Sequence, residues 1–131
     1  MATSEPRFPA LFDPKAWEAD LARSTATGRE AGEAAQRDYE ANGIPRSHLR
    51  PCEGEGRDGT MLPDYKVRVP HPDGKWGIVF KSIILDGRPT MELVGFGARH
   101  HPKIAHALNV YELASRRLTE IAAHDLREDP A

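Results

Sequence analysis

The sequence predicts an α+β fold, with N-terminal helices packed on one face of a small antiparallel sheet of three to four strands. Helix-forming residues with start and stop signals fill residues 13–43. Three strand-like runs follow at Tyr65–Val69, Trp76–Leu85 and Thr90–Phe96, and short turn sequences separate them. Helices followed by sequential strands are typical of a sheet that carries its helices on one side. We expect the opposite face of the sheet to be cationic.

The length of the chain, 131 residues, is close to the usual size of a single domain. We therefore expect one domain over residues 1–131, with loose ends at about 1–6 and 125–131. Charged residues make up 29% of the sequence and the mean hydropathy is -0.59. These values indicate a globular protein with an economical core.

Neither a membrane span nor a disulfide is indicated by the sequence. The longest apolar runs cover only a few residues, and no positively charged segment precedes a hydrophobic stretch at the N-terminus. Cys52 is the only cysteine, which excludes an internal disulfide. We expect a cytoplasmic protein that does not contact membranes.

An edge strand and a helix are predicted at the start of the chain. Pro9 lies within the apolar run 7–12, and proline confines such a strand to the edge of a sheet. Asp13 followed by Pro14 is typical of a helix start, because aspartate caps the first turn and proline fits its first position. The cluster 24–28 predicts a break after this helix.

The second helical region covers residues 29–41, which are rich in helix formers. Asn42 and Gly43 predict its end, since both residues tolerate the left-handed conformation of a helix C-terminus. Two helices, or one long helix with a kink, both fit this pattern. The apolar face is mostly alanine with Tyr39, so we expect it to bury only a thin layer.

The first strand of the predicted sheet separates apolar from cationic side chains. Tyr65, Val67 and Val69 alternate with Lys66 and Arg68. Because successive side chains of a strand point to opposite faces, the three apolar residues share one face and the two cations share the other.

Turn sequences connect this strand to the next two. His71–Gly74 contains Pro72 and a terminal glycine, which predicts a hairpin. Asp86–Gly87 predicts a second hairpin, so the three strands form an antiparallel meander. After it, residues 105–123 suit one or two helical segments with Arg116–Arg117 on the polar side.

Positive charge is concentrated in the second half of the chain. The net charge of the whole protein is -2. Residues 65–118 contain nine lysines and arginines against four acids, a local net charge of +5, whereas residues 1–62 contain eight against eleven. An anionic ligand such as RNA phosphate fits this distribution. The alternative is that these cations lie on the solvated faces of strands.

The order of the predicted elements and several short motifs resemble the RelE/ParE superfamily of bacterial toxins. The motifs are Leu62-Pro63-Asp64-Tyr65-Lys66-x-Arg68, Gly97-x-Arg99 and the tail VYELASRRL. The resemblance covers about residues 8–118, and it is greatest for the RelE-type ribosome-dependent mRNA interferases. It implies a RelE/ParE-like fold and cleavage of ribosome-bound mRNA.

The same resemblance implies candidate catalytic residues. The cations of the family's strand resemble Lys66 and Arg68, the arginine at the end of its last strand matches Arg99, and its C-terminal tyrosine matches Tyr111. One departure concerns the middle strand, where the family has an early arginine and this chain has Gly77. Either a neighbouring cation substitutes for that arginine, or the chain is catalytically weaker or works by another route.

Metal-free RNA cleavage assigns a role to each candidate. The 2′-hydroxyl attacks the adjacent phosphate, so the site needs a base, an acid and cations that stabilise the added negative charge. Lys66, Arg68 and Arg99 supply the charge in this hypothesis. His100 or His101 transfers the proton, and only one of the two, because adjacent strand residues face opposite ways. Tyr111 stacks on a base or orients it.

Four further cations form a candidate RNA-binding surface, namely Lys75, Lys81, Arg116 and Arg117. Structural roles are the alternatives for the candidate site residues. Lys66 and Arg68 then face water, Arg99 pairs with Glu92 or Glu112, and Tyr111 packs in the core.

Metal and nucleotide cofactors are not expected. His100, His101 and His106 match no standard zinc spacing, and no cysteine supports them. Gly95-Phe96-Gly97 ends a strand without opening the βα unit of a dinucleotide fingerprint, and no phosphate-binding loop with a lysine occurs.

The sequence thus predicts the toxin of a type II toxin–antitoxin system, an endoribonuclease whose partners are a cognate antitoxin, the ribosome and mRNA. The alternative is a non-catalytic relative that acts by binding, either a topoisomerase inhibitor or a protein-interaction module. A protein with no effect on growth is a third possibility.

Overall fold

The computed structural model describes residues 5–51, 65–72, 74–99, 110, 113–114 and 116–118. Its helices are α1 (Pro14–Ala22) and α2 (Ala26–Asn42). The strands of the described part are β1 (Arg7–Phe8), β2 (Ala10–Leu11), β3 (Ile44–Pro45), β4 (Arg50–Pro51), β5 (Tyr65–Arg68), β6 (Trp76–Leu85) and β7 (Arg88–Ala98). A five-stranded sheet has the order β2, β7, β6, β5, β4, and β1 pairs separately with β3.

The α+β class is confirmed, while the sheet differs from the expected one in two respects. It has five strands rather than three to four, because two-residue strands extend both edges of the meander. It is also not wholly antiparallel, since β2 pairs with β7 in parallel through Ala10 and Met91. Proline lies beside or within these short strands, at Pro9 and Pro51, and limits them to edge positions.

The helix boundaries follow the predicted capping signals. The Asp13 carboxylate accepts a hydrogen bond from the Ala16 amide at 3.0 Å, and Pro14 begins α1. The Thr25 hydroxyl caps α2 in the same way, so the chain forms two helices and not one kinked helix. Gly43 ends α2 with φ 76°, a conformation that favours glycine.

The long β6–β7 hairpin is the centre of the sheet. Asp86 and Gly87 join the strands with φ values of 52° and 74°, and positive φ at both positions is typical of a type I′ turn. A bulge between Val79 and Phe80 shifts the register. Trp76, Ile78 and Phe80 belong to one core cluster, whereas Val79 belongs to another.

The helices pack on one face of the sheet, as predicted. Close packing depends on two glycines of α2, because a Cβ at Gly28 would lie 2.5 Å from the Trp76 ring and one at Gly32 would lie 2.8 Å from the Phe96 ring. The buried residues of this layer include Trp17, Leu21, Ala31, Ala35, Tyr39, Val67, Val69, Trp76, Ile78, Phe80 and Phe96.

The opposite face is only partly cationic, which corrects the expectation of a cationic face. Val79 and Val94 pack there with three helical residues from the C-terminal part of the chain, Val110, Ala114 and Leu118. This apolar contact covers part of β6 and β7. The cations of β4 and β5 therefore occupy one side of this face.

The buried carboxylate of Asp20 connects α1, β7 and the C-terminal helical residues. Its side chain is fully buried and forms ion pairs with Arg117 at 2.6 Å and with Arg23. It also accepts a hydrogen bond from the Phe96 amide at 3.0 Å. Arg117 donates a further hydrogen bond to the Val94 carbonyl at 2.8 Å. Since both oxygens of the carboxylate are paired, its burial is compensated.

Residues 5 and 6 are the described part of the predicted loose end at residues 1–6, and both are hydrogen bonded to the rest of the protein. The Glu5 carboxylate accepts hydrogen bonds from the backbone and the side chain of Ser47, at 3.0 and 2.8 Å. The Pro6 carbonyl accepts from the Arg46 amide. No helix in the described ranges is long and apolar enough to cross a membrane.

We predict that Asp20→Asn destabilises the protein by about 3 kcal/mol, because removing one partner of a buried ion pair leaves the other charge uncompensated. Chemical denaturation at neutral pH measures this loss. The matched control is Glu18→Gln on the same helix, whose carboxylate is 64% exposed in its ion pair with Arg29. Exposed pairs contribute about 0–1 kcal/mol. Equal effects of the two substitutions would contradict the structural role of Asp20.

Candidate functional site

The side chains of Arg50, Lys66 and Arg68 lie on the same face of the sheet edge. Val67 is buried in the core, so its neighbours Lys66 and Arg68 point to the opposite face. Arg50 of β4 is the direct register partner of Lys66. Like charges in directly opposite positions of a sheet are destabilising. The pair therefore concentrates positive charge on this face of the sheet edge.

Arg99 reaches the same region from the end of β7. Gly77 is the register partner of both Arg68 and Gly97, and it has no side chain to occupy the space above the sheet. The Arg99 Cγ lies only 3.0 Å from the position that a Cβ of Gly77 would take. The Arg99 guanidinium donates a hydrogen bond to the Gly74 carbonyl at 3.0 Å. Gly77 thus permits Arg99 to lie across β6, beside Arg68.

These cations line one depression of about 450 Å³. Its size falls in the range of about 300–1,000 Å³ that is usual for small-molecule sites. Four of the seven described lining residues are cationic and none is acidic. The full set is Ser47, His48, Arg50, Lys66, Arg68, Pro70 and Arg99. We call this feature the cationic depression.

The charges of the cationic depression are not neutralised uniformly. Among the described residues, no carboxylate lies within ion-pair distance of Arg50 or Arg68, and both side chains are exposed. Arg117 differs from them, because its guanidinium forms an ion pair with the buried carboxylate of Asp20. Exposed guanidinium groups such as those of Arg50 and Arg68 are suited to bidentate contacts with phosphate or carboxylate oxygens.

His48 brings an imidazole to the cationic depression, at the end of a 3₁₀ turn formed by Arg46–His48. Its Nδ1 is hydrogen bonded to the Tyr39 hydroxyl at 2.9 Å. Burial, and to a lesser extent the nearby Asp38 charge, raises the pKa of Tyr39 well above its usual range. Tyr39 therefore keeps its proton, and its rigid position in α2 fixes the imidazole.

The 3₁₀ turn is also held from the N-terminal side. The two hydrogen bonds from Ser47 lower the pKa of the Glu5 carboxyl, with a smaller contribution from the Arg7 charge. A carboxyl with a lowered pKa stabilises the folded state at neutral pH, and this contribution disappears as the pH falls through its folded pKa. Glu5 thus helps to position the segment that carries Ser47 and His48.

The structure brings three of the predicted catalytic residues together, namely Lys66, Arg68 and Arg99. The predicted residues His100, His101 and Tyr111 lie outside the described residues, as does Cys52. The structural alternative for Arg99 was an ion pair with Glu92 or Glu112. Among the described residues Arg99 forms no ion pair with Glu92, and Glu112 lies outside them.

None of the four predicted RNA-binding residues is among the described residues that line the cationic depression. Arg117 lies in the Asp20 network at the β7 side of the sheet, away from β4 and β5. Lys81 is the register partner of Glu92, farther along the hairpin. Lys75 and Arg116 are exposed and do not line the cationic depression. Their proposed contact with RNA stays a prediction.

His48 and Arg50 are the site residues that sequence reasoning missed. No local pattern marks them, because they belong to a 3₁₀ turn and a two-residue strand. Only the pairing of Arg50 with Lys66, across the intervening residues 51–65, brings them to the site. Within the described part of the chain, no group of three or more metal-ligating side chains occurs.

Comparison with known proteins adds no assignment. No protein-family model matches the sequence, and no curated protein matches it significantly.

We predict that Gly77→Ala weakens the binding of inorganic pyrophosphate several-fold, because the new methyl group displaces the Arg99 side chain. Isothermal titration calorimetry measures the affinity. Gly97→Ala is the matched control, since it lies opposite Gly77 and its Cβ would make only ordinary contacts, at 3.8 Å from Val110. Equal affinities of the two variants would show that the position of the Arg99 side chain does not depend on the missing side chain at Gly77.

Proposed function

We propose that this protein is a RelE/ParE-like toxin that cleaves ribosome-bound mRNA without a metal ion. The observation that carries the proposal is the convergence of Lys66, Arg68 and Arg99 on one cationic depression. These are the three cations that the family resemblance selects. They come from the first and last strands of the meander, so their proximity is a property of the folded sheet.

The order of the elements supports the same proposal. A short N-terminal strand, two helices and a three-stranded meander occur in the order on which the resemblance rests. The N-terminal strand β2 lies beside the last strand β7, at the edge opposite to β4 and β5. Helices α1 and α2 pack against the face that carries Val67 and Val69, so they do not cover Lys66 and Arg68 on the other face.

The charge distribution fits the transition state of RNA cleavage. Attack of the 2′-oxygen on phosphorus adds negative charge to the phosphate oxygens, and positioned cations stabilise this charge without reorganisation of water. Arg68 and Arg99 offer planar donors, and Lys66 offers a compact ammonium. In our proposal His100 or His101 transfers the proton, and Tyr111 contacts a base.

Arg99 already matches the arginine at the end of the family's last strand, so in this proposal a different cation compensates for Gly77 in the middle strand. The side chain of Arg99 crosses the space above Gly77 and lies near Arg68. Arg50 adds a further cation from β4.

The partners follow from the same surface. A message bound on the ribosome supplies the phosphodiester, and a cognate antitoxin would silence the toxin by covering the cationic depression with a segment of opposite charge. We propose these partners from the family resemblance, and the charge of the site supports them.

The test is induced expression in bacteria with primer-extension mapping of cellular mRNA. We predict cuts within codons for the wild-type protein. Removal of one positioned charge-stabilising group costs roughly 100-fold in rate, so Arg99→Ala should suppress the cuts. Arg68→Ala should act similarly, and because Arg68 is exposed this variant should keep the stability of the fold.

Arg88→Ala is the matched control, because it removes the same charge at the exposed turn of the β6–β7 hairpin, at the opposite end of the strands. It should cleave as the wild type does. Growth arrest with intact messages would contradict the nuclease proposal and favour a toxin that acts by binding. Normal growth with intact messages would contradict both.

A further inference from the structure

The imidazole of His48 has no role in the reaction described above, although it lines the cationic depression. Tyr39 is only 1% exposed, and its hydroxyl has His48 Nδ1 as its hydrogen-bond partner. A buried hydroxyl that cannot donate its hydrogen costs about 1–3 kcal/mol. The favourable arrangement is therefore that Tyr39 donates to Nδ1.

The direction of the hydrogen bond between Tyr39 and His48 determines whether Nε2 of His48 carries a hydrogen. In a neutral imidazole one nitrogen accepts and the other carries the hydrogen. Since Nδ1 accepts from Tyr39, the hydrogen of His48 is on Nε2. No described residue accepts a hydrogen bond from Nε2, and the ring lines the same depression as Arg50 and Lys66. His48 thus presents an N–H donor beside several cations.

We propose that His48 binds a phosphate oxygen of RNA through Nε2–H, and that Tyr39 is the positioning residue that sets this tautomer. The inference rests on the proposed function for the identity of the ligand. In this inference His48 is not the histidine that transfers the proton, because an Nε2 that already carries a hydrogen cannot accept the proton of the 2′-hydroxyl.

The neighbours of His48 favour a phosphodiester as the ligand. Arg50, Lys66, Arg68 and Arg99 surround the depression and no described lining residue is acidic. A phosphodiester offers two non-bridging oxygens with several acceptor positions, which exceeds what a single guanidinium can satisfy. A neutral N–H donor adds a directed hydrogen bond without adding a further like charge to the repulsion between Arg50 and Lys66.

The experiment measures binding separately from cleavage. The probe is a fluorescein-labelled 2′-O-methyl RNA oligonucleotide, whose blocked 2′-oxygen cannot attack, and the readout is fluorescence anisotropy at fixed salt. A hydrogen bond to a charged group contributes enough that His48→Ala should weaken binding about tenfold. His48→Gln should bind nearly as the wild type, because its amide places an N–H donor near the position of Nε2.

A second measurement tests the positioning role of Tyr39. Long-range ¹H–¹⁵N correlation spectra of the wild type should show the hydrogen of His48 on Nε2. In Tyr39→Phe the spectra should show a mixture of tautomers, and binding should weaken while circular dichroism reports an intact fold. Hydrogen on Nδ1 in the wild type would overturn the inference.

The outcomes distinguish this inference from the proposed function. Equal binding by the wild type and His48→Ala overturns the inference, even if normal RNA is cleaved. Weak binding by both His48→Ala and His48→Gln overturns the donor role. Binding that depends on His48 without cleavage of normal RNA supports the inference on the phosphate contact and contradicts the nuclease proposal.

Discussion

The pairing register of β5 is the constraint on which the candidate site depends. Val67 and Val69 are each about 1% exposed in the core, and the period of a strand then forces Lys66 and Arg68 onto the other face. A slip of one residue would bury both cations and expose both valines, at a cost of several kcal/mol. The hydrophobic core therefore fixes the direction of the cations, although it makes no contact with a ligand.

The cations of this protein fall into two groups that differ in how their charge is compensated. Arg117 is compensated internally by Asp20, and this pair joins the C-terminal helical residues to α1 and β7. Arg50 and Lys66 instead face each other on one side of the sheet, which lowers the stability of the free protein. Local arrangements that are unfavourable in themselves, such as two opposed like charges, are typical of functional sites. Arg117 thus stabilises the fold, whereas Arg50 and Lys66 contribute positive charge to the candidate site.

Three glycines also determine where the residues of the candidate site lie, because a side chain at their positions would collide with a neighbour. Gly28 and Gly32 allow α2 to approach Trp76 and Phe96, and this approach places Tyr39 where it can hold His48. Gly77 allows Arg99 to lie across the sheet. Close packing of the helix layer thus helps to position the imidazole of His48, and the missing side chain at Gly77 helps to position Arg99.

The sequence by itself determined the local features: the caps at Asp13 and Gly43, the turn at Asp86–Gly87 and the alternation of Lys66 and Arg68 with apolar residues. These depend on steric and hydrogen-bonding rules that act within a few residues. Only the tertiary structure decided the parallel pairing of β2 and the pairing of Arg50 with Lys66. It also decided the partner of Arg117, which lies 97 positions away in the chain. Such contacts have no local signal, because they result from the burial of the whole sheet and not from the preferences of the residues that form them.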